Sequence, residues 1–211
     1  MMDDLMKVTS HPEEAVSYTG HLPVILHLQP VLDMTDDQLY ELCRINRELR
    51  IERTAEGELL VMPPTGGETS EGNSEITMQL RIWAKRDGAG VTFDSSSGFV
   101  LPNHAMRSPD AAWIKRSRWA TLTPDQRRKF VPLCPDFVIE LRSPSDELSV
   151  LQAKMQEYRD NGAQLGWLID PAARRLYVYR PQAPVERLEN PDALSGDPVL
   201  RGFVLDLGEI W

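Results

Sequence analysis

CPDFVIELRSPSD, residues 134–146, holds a short apolar run, Phe137 to Leu141, with a carboxylate inside it. Side chains on a strand alternate every two residues, so Asp136, Val138 and Glu140 share one face while Phe137, Ile139 and Leu141 take the other. If helices cover both sides of such a strand, Glu140 sits near a buried surface, which is unfavourable unless something compensates the charge. Arg142 stands two residues past the glutamate, and Ser143-Pro144-Ser145 then stops the strand and starts the next element.

Working outward, Leu148, Leu151, Met155 and Tyr158 fall on one helical stripe that ends at Asn161-Gly162. AQLGWLID and RRLYVYRP then read as two strands joined by an Asp170-Pro171 turn. Upstream, SPDAAWIK enters a strand over Ala111 to Ile114, followed by helical turns near Arg116–Ala120 and Pro124–Phe130. Before it, Glu71 to Arg86 carries Ile76, Leu80 and Trp83 at helical spacing, and VTFDSSSGFVLPN reads as a strand pair with a Ser/Gly turn. LRIERTAEGELLVMPP reads as a hairpin about Ala55-Glu56-Gly57, and Thr35 with Gln38 forms a capping-box pattern at the head of a short helix. Strands alternating with helices, with hairpins at the edges, predict an α/β fold built on a mixed sheet flanked by helices.

Length and composition narrow the class. At 211 residues, 41% hydrophobic and 26% charged, the chain suits one packed domain, expected over 23–211 behind a flexible arm over 1–22. A formal charge of −9 gives no global attraction to nucleic acid, so a polyanion has to meet a local patch. The two cysteines, Cys43 and Cys134, lack zinc-site spacing, and the four histidines are scattered, which argues against a histidine-metal site or a Ser/His/Asp triad. With neither a signal-peptide pattern nor a bilayer-length apolar run, the expectation is a cytoplasmic protein with no membrane partner.

Three acids stand at strand edges: Asp110, Asp136 and Glu140. Two like charges about 4 Å apart repel by roughly 4 kcal/mol at an effective dielectric of about 20, so Asp110 beside Glu140 calls for a cation or a shared proton. A divalent metal resolves the conflict, and oxygen ligands favour Mg2+ or Mn2+ over zinc. Lys154 lies at the edge of the apolar stripe of its helix, where its ammonium can reach the strand end. Two carboxylates, a metal and a lysine form a set able to activate water against a phosphodiester.

Ser108-Pro109-Asp110, the block Pro135 to Ser145, and LQAKMQEYRDNGAQLGWLIDP together resemble the restriction endonuclease family known as domain of unknown function 820 (DUF820), over roughly residues 35–182. That family is similar to the PD-(D/E)XK nucleases. The resemblance implies a restriction-endonuclease-like α/β core, magnesium-dependent cleavage of DNA, and a homodimer. It makes Asp110 the PD aspartate and Glu140 the second acid, both metal ligands and catalytic together with Lys154. Arg142 occupies the motif lysine position, a departure, so either Arg142 or Lys154 supplies the cation; Lys154 is preferred because a lysine is a compact charge whose pKa can shift. The resemblance also suggests an acid on the long helix, Glu71 or Glu75, with Asp136 a further companion.

Plainer readings stand beside these. Asp110 and Asp136 follow prolines and can cap turns; Glu140 can pair structurally with Arg142 or a helix lysine; Lys154, Glu71 and Glu75 can be solvated helix residues. The basic run from Arg107 to Lys129, with Lys115, Arg116 and Arg118 as candidate nucleic-acid contacts, can equally be a solvated face. The alternatives to a DNA endonuclease are a catalytically degenerate nuclease fold that binds DNA or protein, and a phosphodiesterase acting on RNA or a nucleotide.

Overall fold

The computed structural model describes residues 24–211; the arm expected over 1–22 lies outside the described residues. In chain order the first half comprises β1 (Val24–Leu26), α1 (Asp36–Ile45), β2 (Arg50–Arg53), β3 (Leu59–Met62), α2 (Gly67–Asp87), β4 (Gly90–Asp94), β5 (Phe99–Val100), β6 (Met106–Arg107) and β7 (Ala111–Lys115). Then follow α3 (Arg116–Ala120), α4 (Pro124–Arg128), β8 (Phe137–Leu141), α5 (Leu148–Asp160), β9 (Leu165–Asp170), β10 (Arg175–Tyr179), β11 (Glu186–Glu189), β12 (Ala193–Ser195) and β13 (Val204–Asp206).

The central sheet runs β11-β10-β9-β8-β7-β4. β8 and β9 are parallel, Phe137 opposite Leu165 through Leu141 opposite Ile169, with α5 as the crossover between them. The other neighbours in this sheet are antiparallel, so the mixed α/β sheet expected from the sequence is present. All five residues of β8 are buried. Phe137, Ile139 and Leu141 pack on Ile76, Leu80 and Ala84 of α2 and on Phe203 and Leu205 near the C-terminus. Val138 faces the other way, into a cluster with Ala112 and with Met155 and Tyr158 of α5.

α2 begins at Gly67, four residues before the expected Glu71, and ends at Gly88, whose φ of 73° closes a left-handed cap. Gly72 lets the helix lie close to the sheet: a Cβ there would stand 2.8 Å from Leu141 Cδ2. The expected capping box at Thr35 and Gln38 heads α1. A second, antiparallel sheet runs β1-β3-β2-β6-β5 and includes the expected hairpin of β2 and β3. Leu39 of α1 packs on its Ile51, Leu59 and Met106.

One expectation needs correction. VTFDSSSGFVLPN is not a strand pair: β4 joins β7 in the central sheet while β5 pairs with β6 in the other. Asp94 folds the Ser segment locally by accepting from the Ser96 backbone and hydroxyl, so the segment crosses between sheets instead of reversing direction. After β10 the chain adds the short strands β11, β12 and β13, and Phe203, Leu205, Leu207 and Ile210 close the core. Among the described residues no helix is long and apolar enough to cross a membrane.

Candidate active site

β7 and β8 pair antiparallel with Ala111 opposite Ile139, and one further step in that register sets Asp110 opposite Glu140. Both acids belong to the face that α5 covers, at the carboxyl end of β8, where open α/β sheets present their ligand crevices. They are 6% and 3% exposed. Asp110 is fixed by the Leu141 amide, which donates to Oδ2 at 2.9 Å, and by Asn73 Nδ2 of α2, which donates to Oδ1 at 3.1 Å. Arg50 of β2 stands 3.7 Å from the same Oδ1.

Glu140 meets α5. Lys154 Nζ lies 2.8 Å from Glu140 Oε1, and the Tyr158 hydroxyl donates to that same oxygen at 3.0 Å. Lys154 also donates to Glu52 Oε1 of β2 at 2.8 Å. Glu52 accepts in addition from the Ser108 amide at 2.9 Å and from Arg107 Nη1 at 3.2 Å, and Arg107 Nε donates to Glu157 Oε2. Buried charges of both signs therefore run from Glu157 through Arg107, Glu52 and Lys154 to Glu140, crossing from the second sheet to the first.

The two lysine-bound acids fare differently. Burial works against ionisation of Glu52, but Lys154 and Arg107 outweigh it and hold the carboxyl below its ordinary range. Burial wins at Glu140 despite Lys154, and repulsion from Asp110 and Glu52 adds to it, pushing this carboxyl up to about 7. Burial raises Asp110 as well, against the Leu141 amide and Arg50. Burial also disfavours the Lys154 ammonium, yet Glu140 and Glu52 more than compensate and raise its pKa.

Asp110 and Glu140 are thus acids that burial holds above their ordinary range, and they line a cleft of about 760 Å3. They could hold a divalent cation. Among the described residues no group of three or more His, Cys, Asp or Glu forms a closed cage. Two carboxylates with open positions fit magnesium, which retains waters and binds through one or two carboxylates plus substrate oxygens. Asn73 Oδ1, buried beside Asp110 and without a hydrogen-bond partner among the described residues, is a further oxygen at this point.

Other sequence candidates lie elsewhere. Arg142 donates to Asp170 Oδ2 at 2.8 Å and to the Asp146 carbonyl, which holds it against β9. Asp136 sits at the opposite end of β8, accepting from the Lys115 amide at 2.8 Å and pairing with Arg118 at 3.1 Å. Lys115, Arg116 and Arg118 do not flank Asp110 as their sequence position suggests, because β7 carries Lys115 five residues away, about 17 Å at 3.4 Å per residue. Arg116 is bound to the Gly88 and Gly90 carbonyls. Glu71 is exposed, and Glu75 accepts from Gln79.

Residues 36–208 match the family Uma2, described as "Putative restriction endonuclease". The chain belongs to the Uma2 family. The match agrees with the resemblance read from Asp110, the 135–145 block and the following helix. A solved structure from Anabaena variabilis, described as a "putative nuclease belonging to DUF820", is similar at TM-score 0.64 and 24% identity over 80% of this chain and 91% of that one. At that identity the likeness speaks for the fold. No curated protein matches.

In this Uma2 chain, Glu52 and Asn73 are not marked by the sequence pattern, and Arg107, expected in a basic run that could contact phosphates, is instead bound to Glu52 and Glu157. Glu52 and Arg107 come from the second sheet, far from Lys154 in sequence, so no local spacing announces the contact. The available signal was Arg50-Ile51-Glu52-Arg53, a strand of four residues with charges on both faces, so that a strand with one covered face has to bury at least one of them. Asn73 carries no charge and lies in α2 between Glu71 and Glu75, so neither its charge nor its spacing distinguishes it.

Proposed function

We propose that this Uma2 chain is a metal-dependent endonuclease that hydrolyses DNA phosphodiester bonds, with Asp110 and Glu140 as ligands for Mg2+ or Mn2+ and Lys154 as the catalytic ammonium. The observation that carries the reading is the opposed, buried Asp110 and Glu140 at one cleft wall with Lys154 Nζ 2.8 Å from Glu140. A bound divalent ion would lower the pKa of its water and stabilise charge developing on phosphate.

The chain's own groups supply the rest. The Leu141 amide and Asn73 orient Asp110, so its carboxylate is set before substrate arrives. Glu52 holds Lys154 at the second sheet, leaving the ammonium directed along Glu140 Oε1, where it can orient water or steady negative charge. Burial of the acids keeps bulk water from screening these interactions.

Incubating supercoiled plasmid DNA with the protein and magnesium is expected to give nicked or linear product. Asp110→Asn and Glu140→Gln are expected to lower the rate by at least a hundredfold, the scale of losing an electrostatic centre. Cleavage at the parental rate by both variants overturns the assignment. Cleavage by neither parent nor variant, with metal still bound, favours the catalytically degenerate binding module. The homodimer and the cytoplasmic location expected from the sequence belong to the same proposal, and sedimentation equilibrium tests the former.

A further inference from the structure

Three cations face the cleft, Arg50, Arg107 and Lys154, and they differ in how fully their donors are used. Arg107 bonds Glu52 and Glu157, and Lys154 lies 2.8 Å from both Glu52 and Glu140. Among the described residues Arg50 has no comparable partner. Its nearest contacts are Ser108 O at 3.4 Å, Thr65 Oγ1 at 3.5 Å and Asp110 Oδ1 at 3.7 Å, all beyond the ordinary N–H···O range of about 2.7–3.2 Å. Its Nε is buried and, among the described residues, has no hydrogen-bond partner. A guanidinium has five N–H donors in a rigid fork that matches phosphate oxygens, and leaving a buried donor unused is unfavourable.

We propose that Arg50 is a phosphate-binding residue, which receives a backbone phosphate of the nucleic-acid substrate beside Asp110. The inference rests on the hydrolase reading for the identity of the ligand, but it concerns binding and not the chemical step. The guanidinium lines a cleft whose other lining cations, among the described residues, are bound to internal carboxylates, so one phosphate is held by side-chain charge there. Arg50 is anchored on β2, a rigid strand paired with both β3 and β6, and its side chain is about a third exposed, so it can turn from Asp110 to an incoming anion without unfolding its neighbours.

The test measures binding of a fluorescein-labelled 20-nucleotide single strand and the matching duplex by anisotropy in EDTA, where cleavage does not intervene, across a range of salt concentrations. Parent, Arg50→Gln, Arg50→Lys and Arg187→Gln, a change on the edge strand β11 outside the cleft, are compared, with thermal unfolding to confirm that each is folded. Arg50→Gln is expected to weaken binding about tenfold and to flatten the slope of log K against log salt by about 0.7 for the single strand and 0.9 for the duplex, the loss of one phosphate contact. Arg50→Lys keeps the slope while losing part of the affinity, because it retains the charge and not the fork. Arg187→Gln leaves both unchanged. Parental affinity and slope in Arg50→Gln, an equal loss in Arg187→Gln, or absence of binding by the parent overturns the proposal. Plasmid cleavage in magnesium is scored separately: a parent that cuts DNA while Arg50→Gln binds normally removes Arg50 and keeps the hydrolase, whereas Arg50-dependent binding by a parent that never cuts keeps the phosphate site and removes the hydrolase.

Discussion

Glu140 has Lys154 and Tyr158 on one oxygen, and burial still pushes its carboxyl up to about 7. In the unfolded chain the same group ionises near its ordinary value of 4.5. Between those two values the folded protein keeps a proton that the unfolded chain has released, so this residue makes metal-free stability fall as pH rises from about 4.5 to 7 and level off above. Asp110, raised by burial, acts in the same direction, while Glu52, held low, contributes stability that is lost as pH falls below its ordinary range. Urea unfolding in EDTA is expected to show the decline, and Glu140→Gln is expected to flatten it; an unchanged profile in that variant contradicts the account of Glu140. The apolar run of 137–141 made this residue visible in the sequence, since a carboxylate there needs a compensating group. The register that brings Asp110 opposite it was not visible, because pairing of β7 with β8 is a long-range property.

At the scale of elements, the question is which one supplies the cation. β8 offers Arg142, but the neighbouring strand β9 takes it through Asp170; α5 offers Lys154, and its position beside Met155 and Tyr158 in the core directs the ammonium at Glu140. Arg142→Lys, which restores the motif residue, is therefore expected to leave the plasmid-cleavage rate within about threefold of the parent. Lys154→Met is expected to abolish cleavage and, by leaving buried Glu52 and Glu140 without their shared partner, to destabilise the fold by about 3–5 kcal/mol in urea at neutral pH. A gain of activity in Arg142→Lys together with normal cleavage by Lys154→Met would return the role to β8. The periodicity of α5 and the placement of Lys154 at the margin of its apolar stripe were legible, because a helix fixes directions locally. Its second carboxylate, Glu52, was not, because it arrives from another sheet.

Over the whole molecule, two sheets meet across the cleft, and the chain of Glu157, Arg107, Glu52, Lys154 and Glu140 joins them. Alternating strands and helices gave the mixed sheet, and the 134–146 stretch placed its centre; the separation of β4 from β5 into different sheets and the short strands near the C-terminus had no periodic signal long enough to read. The acidic balance of −9 argued against a general polyanion surface, and inside the protein burial disfavours ionisation of the two acids that face each other, Asp110 and Glu140. The most direct measurement of the central claim is calorimetric titration of Mn2+ into the metal-free parent, Asp110→Asn and Glu140→Gln at a pH above 7. The account predicts one ion per chain in the parent, lost or weakened by at least tenfold in each variant; manganese bound with parental affinity and stoichiometry in both variants would contradict it.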